Sequence, residues 1–315
     1  MVIPTWNGGN RFQECLDAVA KQEFARGFEL VIIDSGSTDG TAELGREHAD
    51  VFISIKKEEF NHGITRNRAI AKSGGEFIAL LVQDAIPSDS HWLEALVDNF
   101  ADDKVAGCYS RQVPRPDCPP LLKARLERWS ASKSERVESA VNCEEELLQI
   151  PGRKQVDLIA FDNVSSCIRR SVWERTPFPE RPFGEDLWWA RSVLLSGYKI
   201  VFEPRSQVIH SHANSLFYEF KRVYLDHQNW NDLIGLRLFG RLREVWGASI
   251  SGVQEACQDL KNQGLNGLPY FYWVAYALPY VMSQNLAQFL GGNSRRLRER
   301  WPWFERLERV LSQGV

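Results

Sequence analysis

Residues 63–87, GITRNRAIAKSGGEFIALLVQDAIP, decide the fold. They read as a short helix, a Gly74-Gly75 turn, an apolar strand over 77–82 and one carboxylate, Asp84, at a strand-to-loop switch stopped by Pro87. A continuous apolar run of that length suits a parallel strand covered on both faces. Open α/β sheets place ligands outside the carboxyl ends of such strands. Arg66 and Asp84 are therefore the first residues to connect with a charged ligand.

The same grammar extends in both directions. Val2 and Ile3 end a first strand, followed by the loop Pro4-Thr5-Trp6-Asn7-Gly8-Gly9, and Asn10 is a fitting cap for a helix with Phe12, Leu16, Val19 and Ala20 on its apolar face. A second strand, 29–33, ends in Asp34-Ser35-Gly36-Ser37-Thr38-Asp39-Gly40, and Thr41 opens a helix. Strands follow at 51–55 and 105–109, with a helix between them capped by Ser90 and bearing Trp92, Leu93, Leu96, Val97 and Phe100. Strand, polar Gly-rich loop and helix in alternation predict an α/β fold with a doubly wound, mostly parallel sheet.

Beyond residue 110 the character changes. Residues 121–143 read as polar and helical, 157–168 as a return to the sheet, and 199–203 as a last strand before His210-Ser211-His212. Between them, Phe183-Gly184-Glu185-Asp186-Leu187-Trp188-Trp189 opens a helix with acids in its first turn. From Ser215 onward helix predominates, broken at Gly247, Gly252, Gly264 and Gly267. This divides the chain into a sheet domain over 1–215, with an insertion at 111–155, and a helical region over 216–315.

Composition bounds the class. A formal net charge of −3 argues against a nucleic-acid binder. Six cysteines without a CxxC pair fit reduced thiols rather than a disulfide framework, and the N-terminus reads as a strand, not a signal peptide. Residues 262–294 carry no charge and are flanked by Lys261 and by Arg295, Arg296, Arg298 and Arg300. Pro279, Ser283, Gln284, Asn285 and Gln288 interrupt that stretch as a membrane span, leaving a core or dimer helix and a membrane-surface helix as its readings.

Several residues could carry chemistry. Asp34 can accept the imide N–H of a uracil or thymine, although an Asx turn would place an aspartate there equally well. Arg66 and Asn67 begin a helix where phosphate is favoured, against the alternative of a surface ion pair. Asp84 is the candidate metal ligand, since a cation bridging a diphosphate needs only one or two carboxylates. Asp186, with Glu185 beside it, is the candidate general base. Trp188 and Trp189 could stack on a sugar, one of them in competition with a place in the core. His210 or His212 could join Asp84 on the cation.

Taken in this order, VIPTWNGG (2–9), VIIDSGSTDGT (31–41), TRNRAIAKSGGEFIALLVQDAIP (65–87), FGED (183–186) and HSH (210–212) resemble the family 2 glycosyltransferases of the GT-A fold, over about residues 1–215. The resemblance implies an inverting transfer from a nucleotide-sugar. Pro4, Thr5, Asn7, Asp34, Ser35, Arg66, Asn67 and Gln83 would line the donor site, and Asp84 with His210 (His212 as alternate) would hold Mg²⁺ or Mn²⁺. Asp186 would be the base with Glu185 beside it, and Trp188 and Trp189 would face the acceptor. The family's Asp-X-Asp stands here as Val82-Gln83-Asp84, so only its second acid is present. FNHGITRN (60–67) with QDAIP (83–87) is similar to the bacterial rhamnosyltransferase branch, which implies dTDP-β-L-rhamnose as donor and a surface glycan, O-antigen or lipid-linked glycan as acceptor. The cysteines fit a cytoplasmic protein, and the charge-free stretch of the tail offers contact at the inner membrane face or a homo-oligomer as its role. A UDP-sugar transferase and a non-catalytic scaffold remain as alternatives. A nucleotidyltransferase fits poorly, because the loop after the first strand has its only basic residue at Arg11.

Overall fold

The computed structural model describes residues 1–314. Among the described residues nine strands form one sheet: β1 (Val2–Thr5), β2 (Val31–Asp34), β3 (Val51–Ser54), β4 (Phe77–Leu81), β5 (Ile86–Pro87), β6 (Val105–Val113), β7 (Val137–Ser139), β8 (Ser165–Arg169) and β9 (Lys199–Ile209). Their order is β3-β2-β1-β4-β8-β6-β9-β5, with β7 on β9. The first four are mutually parallel, as the alternating strands and helices require. β8 then enters antiparallel between β4 and β6, while β6 and β9 are parallel to each other. The sheet is thus doubly wound in its first half and mixed in its second.

All four residues of β2 are buried, which explains its unbroken apolar run. The core under β1 and β4 gathers Ile3, Phe12, Leu16, Leu81, Trp92 and Val201. Trp92 is completely buried, and its indole N–H donates to Ser110 Oγ at 3.2 Å and Ser165 Oγ at 2.9 Å, which removes the penalty of burying it.

Several local expectations shift. The first helix is Gly9–Ala20 with Gly8 as cap, and the helix Trp92–Val97 follows His91 rather than Ser90. Residues 152–158 are helical, and the sheet resumes only at Ser165. Gly247 and Gly252 do not interrupt the helix Leu242–Asn262. At Gly252 a Cβ would stand 2.7 Å from Val281 Cγ1, so glycine serves a close helix crossing there.

The chain divides into two compact units. The sheet unit comprises Met1–Arg115, Trp129–Ile150 and Asp157–Ser211. The helical unit comprises Pro116–Arg128, Pro151–Val156 and everything from His212 onward. In it, the helix Gly267–Gly292 packs on both Leu216–Ile234 and Leu242–Asn262. Gly291 permits the closer crossing, since a Cβ would meet Tyr224 O at 2.2 Å. Among the described residues no helix is long and apolar enough to cross a membrane.

Candidate active site

The site is built from the carboxyl ends of β1, β2 and β4 and the loops that follow them. Parallel pairing sets Thr5 opposite Asp34. The buried Asp34 carboxylate accepts from Thr5 Oγ1 at 3.1 Å, Ser37 Oγ at 2.5 Å, Gly36 N at 3.0 Å and Ser37 N at 2.9 Å. Both the Asx turn and the strand-end carboxylate of the sequence reading therefore exist at this residue. Asn7 takes a left-handed φ of 46° and ties the first loop to the second, its N–H donating to Ser37 Oγ and its Oδ1 accepting from Thr38 N, each at 2.9 Å. Pro4 is half-buried on β1. Ser35 is buried and its hydroxyl has no hydrogen-bond partner. A buried orphan hydroxyl costs about 1–3 kcal/mol, a cost a ligand's polar atom would remove.

Gln83, the middle residue of the Val82-Gln83-Asp84 triplet, grips the backbone of Trp6. Its Oε1 accepts from Trp6 N at 2.9 Å and its Nε2 donates to Trp6 O at 3.0 Å. The amide both accepts and donates, so Gln83 locks the first loop at two points. Trp6 itself was passed over in the sequence. Its exposed ring lies under the Lys57 ammonium, 4.1 Å from the centroid.

Asp84 is brought to His210 by the antiparallel pair β5–β9, in which Ile86 faces Ile209. Asp84 Oδ1 and His210 Nε2 are 3.7 Å apart and both side chains are largely buried. Gln112 orients the ring: its Nε2 donates to Asp162 Oδ2, which turns its Oε1 toward His210 Nδ1 at 3.0 Å. The network therefore assigns the proton to Nδ1 and the lone pair to Nε2, facing the carboxylate. One carboxylate oxygen and one imidazole nitrogen aimed at each other fit Mg²⁺ or Mn²⁺, with phosphate and water completing the shell. Arg115 adds positive charge nearby, donating to the backbone oxygen of Asp84. His212 is exposed and opens the helical unit.

The acidic turn is positioned by Gly184, whose φ of 78° suits glycine at the N-cap of the helix Glu185–Leu195. Glu185 is buried and accepts from Arg66 Nη1 at 2.9 Å and Asn163 Nδ2 at 3.1 Å. Burial by itself would raise its pKa, but the Arg66 guanidinium, His62 and the Asn163 amide outweigh that and hold it below the usual carboxylate range. Asp186 behaves oppositely. Its side chain reaches the surface in part, yet enough protein surrounds the carboxyl that lost hydration, then the charges of Glu185 and Asp162, push its pKa well above the ordinary aspartate value. Two adjacent carboxyls with pKa values driven apart can divide their roles, one as a fixed charge and the other as a proton acceptor.

Arg66 thus sits in a buried ion pair rather than at the surface. Asn67 is held in a separate network: its Nδ2 donates to Phe178 O at 2.8 Å and its Oδ1 accepts from Trp173 Nε1 at 2.8 Å. Asn61 caps its helix by accepting from Gly63 N and Ile64 N, both at 3.1 Å. Trp189 is fully buried against Phe161 and Phe178. Trp188 is half-buried, with the Arg181 guanidinium 3.5 Å from its ring centroid. Residues no motif flagged, Gln112, Asp162 and Asn163, join the parts: Asp162 bonds Gln112, Gln112 bonds His210, and Asp162 bears electrostatically on Asp186.

Comparison with known proteins identifies the family. The model of the glycosyl transferase family 2 matches residues 1–157. The O-antigen chain rhamnosyltransferase RfbN of Salmonella typhimurium is 33% identical over 71% of this chain and 69% of its own length. WbaN of Salmonella anatum, also an O-antigen chain rhamnosyltransferase, is 32% identical over the same shares. The chain belongs to glycosyl transferase family 2, and the protein is an inverting glycosyltransferase. Among solved structures, a mannosyltransferase of Pyrobaculum calidifontis, in complex with GDP-Man and Mn²⁺, aligns with a TM-score of 0.59 at 19% identity, over 96% of this chain and 86% of that one, a likeness of fold.

Proposed function

We propose that the protein transfers L-rhamnose from dTDP-β-L-rhamnose to a hydroxyl of a growing O-antigen or related, lipid-linked surface glycan. The observation that carries the mechanism is the relay Asp84–His210–Gln112–Asp162, whose last member bears on Asp186. It ties a candidate leaving-group site to a candidate base within one sheet unit. The choice of rhamnose is supported by the two O-antigen rhamnosyltransferases.

In this reading Thr5, Asn7, Asp34, Ser35 and Gln83, with Pro4 beneath them, shape the nucleotide pocket. Asp84 and His210, with His212 as alternate, hold Mg²⁺ or Mn²⁺, which supplies positive charge to the departing diphosphate when bound. Arg66 fixes Glu185, and through it the first turn in which Asp186 stands. Asp186 takes the proton from the acceptor hydroxyl as that oxygen attacks the anomeric carbon from the face opposite the diphosphate. Its raised pKa makes it a stronger base than a solvated aspartate. Trp188 lies on the acceptor side. Residues 1–215 form the transferase domain with an acceptor-side insertion at 111–155, in the cytoplasm, and the helical region meets the inner membrane face or a second copy.

Calorimetric titration with dTDP, UDP, dTDP-rhamnose and UDP-sugars, with and without Mn²⁺ or Mg²⁺, tests the reading. Metal-dependent preference for dTDP-rhamnose, with the metal dependence lost in His210→Ala, is the expected result. Preference for a UDP-sugar would keep the transferase and discard rhamnose. Absence of any nucleotide binding would favour a scaffold.

A further inference from the structure

In the helical unit, Leu242–Asn262 and Gly267–Gly292 run antiparallel. Asn285 Nδ2 donates to Ser249 Oγ at 3.1 Å, and Gly252 meets Val281. At about 100° per residue, Leu242, Trp246 and Ile250 lie to one side of the packed line Val245, Ser249 and Gly252. In the other helix Phe271, Leu278 and Leu286 lie to one side of the packed line Val274, Val281 and Asn285. Antiparallel packing turns these two sides the same way, so the pair presents one continuous apolar face. Trp246, Ile250, Phe271 and Leu278 on it are each more than half exposed. Apolar surface of that extent, left in water, marks an interaction site.

One end of this face is basic. Where Leu242–Asn262 begins and Gly267–Gly292 ends, an open groove of about 600 Å³ is lined by Gly240, Phe289, Asn293, Arg296, Arg300 and Trp301. Glu299, which also lines it, pairs with Arg295 at 3.5 Å, while Arg300 lies 5.4 Å from the Trp301 ring centroid. Glu255 and Asp259 fall on the far flank of their helix, paired with Arg128 at 3.5 and 2.7 Å. At the opposite end of the face the charge is Lys261.

This distribution discriminates between occupants. A two-fold copy would bring the arginine end against either itself or Lys261, like charge on like, with Glu299 already paired to Arg295. A phospholipid surface meets every feature: apolar side chains enter the acyl boundary, tryptophans sit at head-group level, and the arginines take phosphates. We propose that the face formed by Leu242–Asn262 and Gly267–Gly292, with the Arg296–Arg300 groove, docks on an anionic phospholipid bilayer. The inference rests on the peripheral contact offered above and selects the bilayer over a second copy.

Flotation of the full chain with phosphatidylcholine vesicles, alone or mixed with phosphatidylglycerol, tests it. Binding is expected to the mixed vesicles and to fall as salt rises. Ile250→Glu and, separately, Arg296→Glu/Arg300→Glu should each lower partitioning about tenfold or more. All of these positions are outside the sheet unit, so dTDP binding and donor hydrolysis in solution should be unchanged, with thermal unfolding confirming the fold. Equal binding to both vesicle types, no binding to either, or a dimer that Ile250→Glu dissociates would overturn the proposal. Loss of nucleotide binding in the parent protein would instead count against the transferase chemistry, independently of the vesicles.

Discussion

Asp186 carries the sharpest consequences at the residue scale. Asp186→Asn should lower sugar transfer by about 10²–10⁴-fold while dTDP-sugar binding changes little, as single-turnover assay and calorimetry would read. Its ionisation is opposed by burial, Glu185 and Asp162, so the acid limb of kcat/KM should fall above the usual aspartate range. The same shift has a stability side. A native pKa raised above the unfolded one means stability present at low pH and lost as pH rises through the native value. Asp186→Asn should therefore melt higher than the parent at about pH 8, with the difference shrinking toward about pH 5. Arg66 works in the other direction. Removing it leaves Glu185 buried without its guanidinium, and Arg66→Ala should cost about 3–5 kcal/mol in denaturant unfolding. Any folded Arg66→Ala protein should also show its acid limb moved further up, because Arg66 lowers the Asp186 pKa.

At the scale of elements, the helix His62–Ile70 is pressed against the segment leading to Gly184. Asn61 Nδ2 donates to Arg181 O at 2.9 Å, Asn67 holds Phe178, and a Cβ on Gly63 would stand 2.2 Å from Pro179 O. Backbone cannot yield as a side-chain tip can, so Gly63→Ala should destabilise by about 2 kcal/mol or more. It should also lower kcat more than it weakens nucleotide binding, since the displaced segment carries Asp186 rather than Asp34. Local pattern found this helix and the strand after it. It did not find the antiparallel entry of β8, because Ser165-Ser166-Cys167-Ile168-Arg169 carries no mark of strand direction, which its pairing with β4 and β6 sets. Nor did it find β5: two residues ending in a proline give no periodicity, and their pairing with β9 joins positions far apart in sequence.

For the whole molecule, the way the chain contributes to its units governs what can be cut. The helix Pro120–Glu127 belongs to the helical unit, where Leu121 packs with Ala256, Leu260 and Ala277, and Arg125 bonds Glu219 at 2.5 Å and Gln284 at 2.8 Å. A fragment ending at Ser211 would keep that helix and lose everything it packs on. Such a fragment should bind a hydrophobic dye and aggregate, and replacing Leu121 and Leu122 by polar residues should improve its solubility.

The sequence by itself determined the parallel half of the sheet, the carboxylates at the ends of β2 and β4, the glycine-led acidic turn and the family they define. Each of these is written in a local pattern: an apolar run, a turn residue, an acid at a strand end or in a helix's first turn. Only the tertiary structure decided that Arg66 reaches Glu185, that Gln112 and Asp162 join His210 to the neighbourhood of Asp186, and that two apolar stripes emerge on the same side of a helix pair. Those relations depend on which distant segments share a layer and in which direction they run. Packing sets both, and the spacing of residues along one segment carries neither.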